Sequence, residues 1–179
     1  MFVYLDNSAT TRQYDRVTAY MKESMDDFYG NPSSLHSFGL DSEKKVRQAR
    51  KNIAESLGCG EEEIVFTSGG TESDNTAIFG AARSKKRNGK KIITSKVEHP
   101  AVLEACKALE NEGYTVEYIG VDSQCRLDMD QLQAAVDDET ILISIMTVNN
   151  ETGTVMPVDQ IAQLKKNALF HTDSVQAYG

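Results

Sequence analysis

Positive charge is scarce in this chain: 19 Lys and Arg stand against 27 Asp and Glu, for a net charge of −8. That balance argues against a nucleic-acid partner, because affinity for a phosphate backbone comes from clustered Lys and Arg. The one basic run, Lys85-Lys86-Arg87 with Lys90-Lys91, surrounds Asn88-Gly89 and reads as a solvated loop. No apolar stretch approaches a membrane span, and no basic region followed by an apolar segment marks the N-terminus as a secretion signal. Cysteine is sparse too. Cys59, Cys106 and Cys125 are odd in number and have neither metal-ligand spacing nor a disulfide framework, so no metal site is expected and a reducing cytoplasm is the simple inference. Cys106 falls on the apolar face of a predicted helix and Cys125 in a polar turn; neither lies next to a predicted base.

What remains is the composition of an ordinary globular chain, 40% hydrophobic and 26% charged over 179 residues. Helix and strand patterns alternate along it, with no repeat or low-complexity linker. Val46, Ala49, Ile53, Ala54 and Leu57 recur at helical spacing, and Gly58 follows as a stop. Ile64-Val65-Phe66-Thr67 suits a short buried strand, and Gly69-Gly70 then leads into Thr71-Glu72-Ser73-Asp74, a helix start. Further strands are expected at Ile92–Thr94, Tyr114–Ile119, Ile141–Met146 and Ala168–Phe170. Helices are expected from Pro100 to Gly113, after Asp128, and around Ile161–Leu164. The run Ile141–Met146 is too apolar to be half exposed and should be a central strand covered on both faces. The alternation indicates an α/β fold, a mostly parallel sheet with helices on both faces. Residues 1–40 are less regular and look like an arm or small-domain segment; residues 41–179 would form the larger domain.

The unusual polar residues fall just after the predicted strands: Ser68-Gly69-Gly70-Thr71, Glu98-His99, Asn149-Asn150 and His171-Thr172-Asp173. In an open parallel sheet, ligands bind in the crevice beyond the carboxyl ends of the strands. Glycines at 69 and 70 let backbone approach an anion, and a helix start at Thr71 offers free N–H groups and a positive dipole end. Ser68–Thr71 taken alone is an ordinary strand-to-helix turn, and a lone histidine such as His99 is more often structural than functional. A carboxylate at the strand end, Asp173, is costly there unless it meets a cation or strong donors. Gln176 would lie beside it if the backbone turns helically.

The same residues carry a family resemblance. Tyr4–Thr11, Gly30–Ser34, Ile64–Asn75, Ile93–Ser95 with Glu98–Leu103, Val148–Gly153 and His171–Ala177 follow one another as they do in cysteine desulfurases of the iron–sulfur cluster and nitrogen-fixation type. The resemblance implies a fold-type I pyridoxal-phosphate enzyme that takes sulfur from L-cysteine, leaves alanine, works as a homodimer and passes sulfur to an acceptor or scaffold protein. By position, Gly70 and Thr71 would hold the cofactor phosphate, and His99 would lie over the ring and move protons. Asp173 would pair with the protonated pyridine nitrogen, Gln176 would bond the phenolic oxygen, and Asn150 would lie near the ring and orient the substrate carboxylate. The segment between Asn150 and His171 is a residue or two shorter than the family pattern, around Lys165-Lys166-Asn167, which could shift Asp173.

The family's Schiff-base lysine in a Ser-x-His-Lys motif, its carboxylate-binding arginine and its nucleophilic cysteine have no counterpart within these 179 residues. The large-domain sheet is therefore expected to be incomplete. In fold type I the last two strands separate the first strand from the rest, a gap of about 14 Å at three strand spacings. On that basis the Gly70–Thr71 loop should lie apart from Asp173, and the chain alone should neither form the native site nor desulfurate cysteine. A non-catalytic module that assembles with another chain, and a related selenocysteine lyase, are the alternatives. A Rossmann-type nucleotide binder is disfavoured, since no G-x-G-x-x-G follows the first predicted strand.

Overall fold

A computed structural model describes residues 2–178. The chain divides into two compact units, residues 1–66 and 67–179. The first is helical, with α1 (Asp15–Asp27) and α2 (Ser37–Leu57). Gly58 ends α2 in the left-handed conformation, φ 68°, as its place after Leu57 predicts. Thus residues 1–40 contain a 13-residue helix and the start of a second, more regular structure than the sequence suggested. This unit has little core of its own: α1 buries no residue, and α2 buries only Gly39, Ser42 and Ala54.

The predicted strand at Ile64–Thr67 is absent. After a short 3-10 turn at Glu61–Glu63 the segment is extended but unpaired, and Val65 and Phe66 are 73% and 47% exposed. A strand exists only by pairing, and no neighbouring strand lies beside this one among the described residues. Within its unit the segment is held instead by Arg50, whose guanidinium donates to the Ile64 carbonyl and stacks 4.8 Å from the centre of the Phe66 ring.

The second unit carries the remaining elements in alternation: α3 (Gly70–Lys85), β1 (Lys91–Ser95), α4 (Pro100–Asn111), β2 (Thr115–Ile119), α5 (Met129–Ala135), β3 (Thr140–Ser144), α6 (Val158–Leu164) and β4 (Leu169–His171). The four strands are all parallel, in the order β2-β1-β3-β4, which puts the apolar β3 inside the sheet. Because side chains alternate across a strand, Ile92 and Leu142 face one side, where they pack with Ile78 and Ala82 of α3 and Val102, Cys106 and Leu109 of α4. Ile93 and Ile143 face the other and pack with Leu132 of α5 and Ile161 of α6. Each such side chain contributes about 1.5–3 kcal/mol by leaving water. The sheet is thus covered on both faces, as predicted.

Local signals set the element ends. Pro100 opens α4 at a position where its missing N–H costs nothing. Asp128 caps α5 by accepting from the Gln131 amide. Gly113, at φ 85°, turns the chain from α4 towards β2. One expectation fails here: Lys91 is not part of a solvated basic loop. It begins β1 with a largely buried side chain, its ammonium 3.0 Å from Glu117 and 2.9 Å from Asp137. No helix among the described residues is long and apolar enough to cross a membrane.

Candidate cofactor site

The segments after β1, β3 and β4 and the start of α3 bring polar residues to the carboxyl edge of the sheet. The parallel ladder between β3 and β4 continues beyond the strands: the Ile145 amide donates to the His171 carbonyl (3.1 Å) and the Thr147 amide to the Asp173 carbonyl (2.8 Å). That continuation fixes Asp173. Its Oδ1 accepts from the Val175 amide at 2.9 Å, and on either side Thr172 and Ser174 share the Thr147 hydroxyl at 2.7 and 2.8 Å. The shortened segment before it is absorbed by a turn in which Lys166 adopts φ 48°, and β4 stays in register with β3 from Leu142↔Leu169 to Ser144↔His171. Gln176 is exposed in the turn that follows, closed by amides of Ala177 and Tyr178 on the Ser174 carbonyl.

Helix α3 begins at Gly70 after an extended Gly69, and no side chain caps it. The first N–H groups of a helix have no intrahelical acceptor, so Gly70 and the exposed Thr71 sit at an open, electropositive terminus. The Glu72 carboxylate does not close it. Glu72 turns back to accept from the amide and hydroxyl of Ser68, both at 2.6 Å, and these bonds lower its pKa. The expected separation of this terminus from Asp173 is not found. A Cβ added to Gly70 would come within 3.0 Å of Val175 Cγ2, two residues past Asp173. The reason is packing: α3 is seated on the sheet by Ile78 and Ala82, so its position does not depend on a strand at 64–67.

His99 is the N-cap of α4; its Nδ1 accepts from the Ala101 amide at 3.1 Å, which leaves Nε2 on an exposed ring. Its neighbour Glu98 is 5% exposed and ties two strand ends together, accepting from Oγ of Ser95, the last residue of β1 (2.5 Å), and from the Met146 amide (3.1 and 3.0 Å) after β3. Asn150 is held by the residue before it. Asn149 donates to the Val97 carbonyl at 2.9 Å, and its Oδ1 accepts from the amides of Glu151 and Thr152 at 3.0 and 2.9 Å. A cavity of about 300 Å³ results, lined by Glu98, His99, Asn149, Asn150 and Thr152 among others. It joins His99 to Asn150; Gly70, Thr71, Asp173 and Gln176 lie outside its lining.

Carboxylates dominate the electrostatics. Burial lifts the Glu98 carboxyl to about 7, aided by the charges of Asp173 and Asp74 and opposed by its hydrogen bonds from Ser95 and Met146. Burial lifts Asp74 of α3 to about 6, again with Asp173 raising it, while His99 acts in the opposite direction. His171 is pulled below its ordinary value by burial. Asp74, Glu98 and His171 are thus part of the site in a way the sequence did not predict, beyond their placement at strand ends and a helix start. Carboxylates gathered around one edge are suited to a cation, and the uncapped α3 terminus beside them is suited to an anion. A molecule with a phosphate at one end and a protonated ring nitrogen at the other fits this arrangement. Among the described residues no cluster suits a metal ion, Cys106 is buried in the core, and Cys125 lies in the turn before α5 at φ 61°.

Known proteins resemble this chain over nearly all of its length. A putative cysteine desulfurase of Bacillus subtilis is 48% identical over 99% of this chain and 47% of its own length, and a cysteine desulfurase of Nostoc is 51% identical over 99% and 44%. Among solved structures, a NifS-like protein superposes with a TM-score of 0.95 at 40% identity, covering 99% of this chain and 50% of that one. SspA in complex with cysteine superposes at 0.91 with 37% identity, covering 98% and 51%. The chain therefore spans about half the length of the relatives it matches. With residues 3–179 matched by the family model for class-V aminotransferases, the chain belongs to that family of pyridoxal-phosphate enzymes.

Proposed function

We propose that the polypeptide to which these residues belong is a cysteine desulfurase, and that this chain contributes the cofactor-holding part of its site. The observation that supports this most is the close approach of the uncapped α3 terminus at Gly70 to the segment bearing Asp173. Gly70 and Thr71 would receive the phosphate of pyridoxal 5′-phosphate. Asp173, fixed by the continued β3–β4 ladder, would hold the protonated ring nitrogen, and Gln176 in the next turn would bond the phenolic oxygen. Once bound, the cofactor supplies an electron sink for the substrate α-carbon. His99, with Nδ1 engaged by the α4 amide, has Nε2 left to carry a proton over the ring face. Asn150 would orient the L-cysteine carboxylate.

In this reading residues 41–179 belong to the cofactor-binding domain and residues 1–40 to an arm. The intact protein would work as a cytoplasmic homodimer that hands sulfur to an acceptor protein. The 179 residues supply no lysine or cysteine in the family's catalytic contexts, and covalent catalysis needs both groups. The test is to compare this chain with the product of its full reading frame. Both are incubated with pyridoxal phosphate, L-cysteine and a thiol reductant, and alanine and sulfide are measured. The full-length product should form both, and this chain should form neither above the free-cofactor rate. A full-length product that releases no alanine overturns the reading.

A further inference from the structure

Two residues that the proposed chemistry does not use lie between its two ends. His171 is the last residue of β4, two before Asp173, and its ring is clamped from both nitrogens. Nδ1 is 2.9 Å from Ser144 Oγ of β3, and Nε2 is 3.6 Å from Oδ1 of Asp74. Asp74 is 4% exposed and lies on the second turn of α3, one turn past Gly70 and Thr71. At 3.6 Å the contact is electrostatic rather than a full hydrogen bond. When Ser144 donates to Nδ1, the proton of the neutral ring sits on Nε2 and faces Asp74. Ser144 is itself fully buried, and its carbonyl accepts from Thr94 Oγ1 at 2.9 Å, so the clamp is anchored in the centre of the sheet.

We propose that Asp74 and His171 are positioning residues that tie the first turns of α3 to the end of β4 and so set the span between Gly70–Thr71 and Asp173. Packing by Ile78 and Ala82 seats the middle of α3, but the site needs its N-terminal end, about two turns away. Two contacts join that end to the β4 segment: the approach of Gly70 to Val175, and Asp74 on His171. The first is a steric stop and the second an attraction. Together they define a distance that the unpaired 64–67 segment cannot define, since it makes no strand.

This inference rests on the proposed cofactor site, and its test uses two probes that part the two ideas. Pyridoxamine 5′-phosphate spans both ends and carries no aldehyde to condense with surface lysines; inorganic phosphate occupies the α3 terminus alone. Dissociation constants for each are measured on the 179-residue chain and on Asp74→Ala, His171→Phe and the double variant. His171→Phe matters most, because it removes the tie without removing a negative charge. Each single variant should weaken pyridoxamine phosphate about tenfold, on the scale of a lost charge-assisted contact. Inorganic phosphate should stay within about twofold, and the double variant should be no worse than either single one, as expected for residues acting as a unit. Unchanged pyridoxamine phosphate binding, an equal loss of both probes, or losses that multiply in the double variant overturns the tie. Failure of the unaltered chain to bind pyridoxamine phosphate removes the cofactor reading and the tie with it. In the ligand-free chain, Asp74→Ala should also speed hydrogen exchange at the Ser73 amide, which bonds the Gly69 carbonyl at 3.1 Å, about tenfold; unchanged exchange there contradicts the tie without touching the cofactor reading.

Discussion

Replacing Glu98 with glutamine should change how stability depends on pH more than it changes stability itself. Glu98 bridges the ends of β1 and β3, 5% exposed, with its carboxyl raised from 4.5 to about 7 chiefly by burial. A raised carboxyl pKa means that the folded chain keeps a proton that the unfolded chain has released. Its stabilising contribution is therefore complete below about pH 4.5 and lost as pH rises through about 7. With each pKa unit equivalent to about 1.36 kcal/mol, the change between pH 5 and pH 8 comes to about 2.5 kcal/mol. Glutamine keeps an acceptor for the Met146 amide but cannot ionise. In urea unfolding followed by circular dichroism, the unaltered chain should lose about 2.5 kcal/mol more than Glu98→Gln over that interval. Asp74, raised to about 6, gives both proteins a remaining slope of the same sign. Parallel pH profiles for the two proteins would refute the claim that Glu98 is a buried, proton-retaining bridge.

Other substitutions test the scaffold and the phosphate end. Leu142→Ala empties a fully buried position in β3 and should cost about 3 kcal/mol, read as a lower urea midpoint. Gly89→Ala would put a Cβ 2.2 Å from the Glu139 carbonyl oxygen at φ 157°, so the β1 entry must shift; a thermal midpoint several degrees lower is expected. Gly70→Val drives a branched side chain onto Val175, already 3.0 Å from a bare Cβ, and should weaken inorganic phosphate binding several-fold by phosphorus NMR.

Most of the second unit could be read from the sequence because its signals are local. Ile141–Met146 announced a strand buried on both faces, and Gly58, Pro100, Asp128 and Gly113 marked element ends where φ, a missing N–H or a side-chain cap requires them. Ile64–Thr67 was misread for a reason that is not local: its apolar residues suit a strand, but a ladder needs a partner, and Val65 and Phe66 are left exposed. The site divides in the same way. Polar residues after each strand could be placed at one edge by topology alone. That Glu98 reaches Met146, 48 residues on, or that Asp74 meets His171, depends on how helices settle on the sheet, and no spacing in the sequence encodes it. The expected gap between Gly70 and Asp173 failed for that reason: it was derived from strand order, whereas α3 is placed by its own packing.

The central claim is that one edge of this sheet holds the phosphate end and the ring end of a pyridoxal-type cofactor. The most direct measurement is a titration of the isotope-labelled chain with pyridoxamine 5′-phosphate, followed by amide and side-chain NMR shifts. The account predicts saturable shifts sharing one dissociation constant at Gly70, Thr71, His99, Asp173 and Gln176, with the β2 edge at Thr115–Ile119 unmoved. Shifts confined to the α3 terminus, or spread over the surface without saturation, would contradict it.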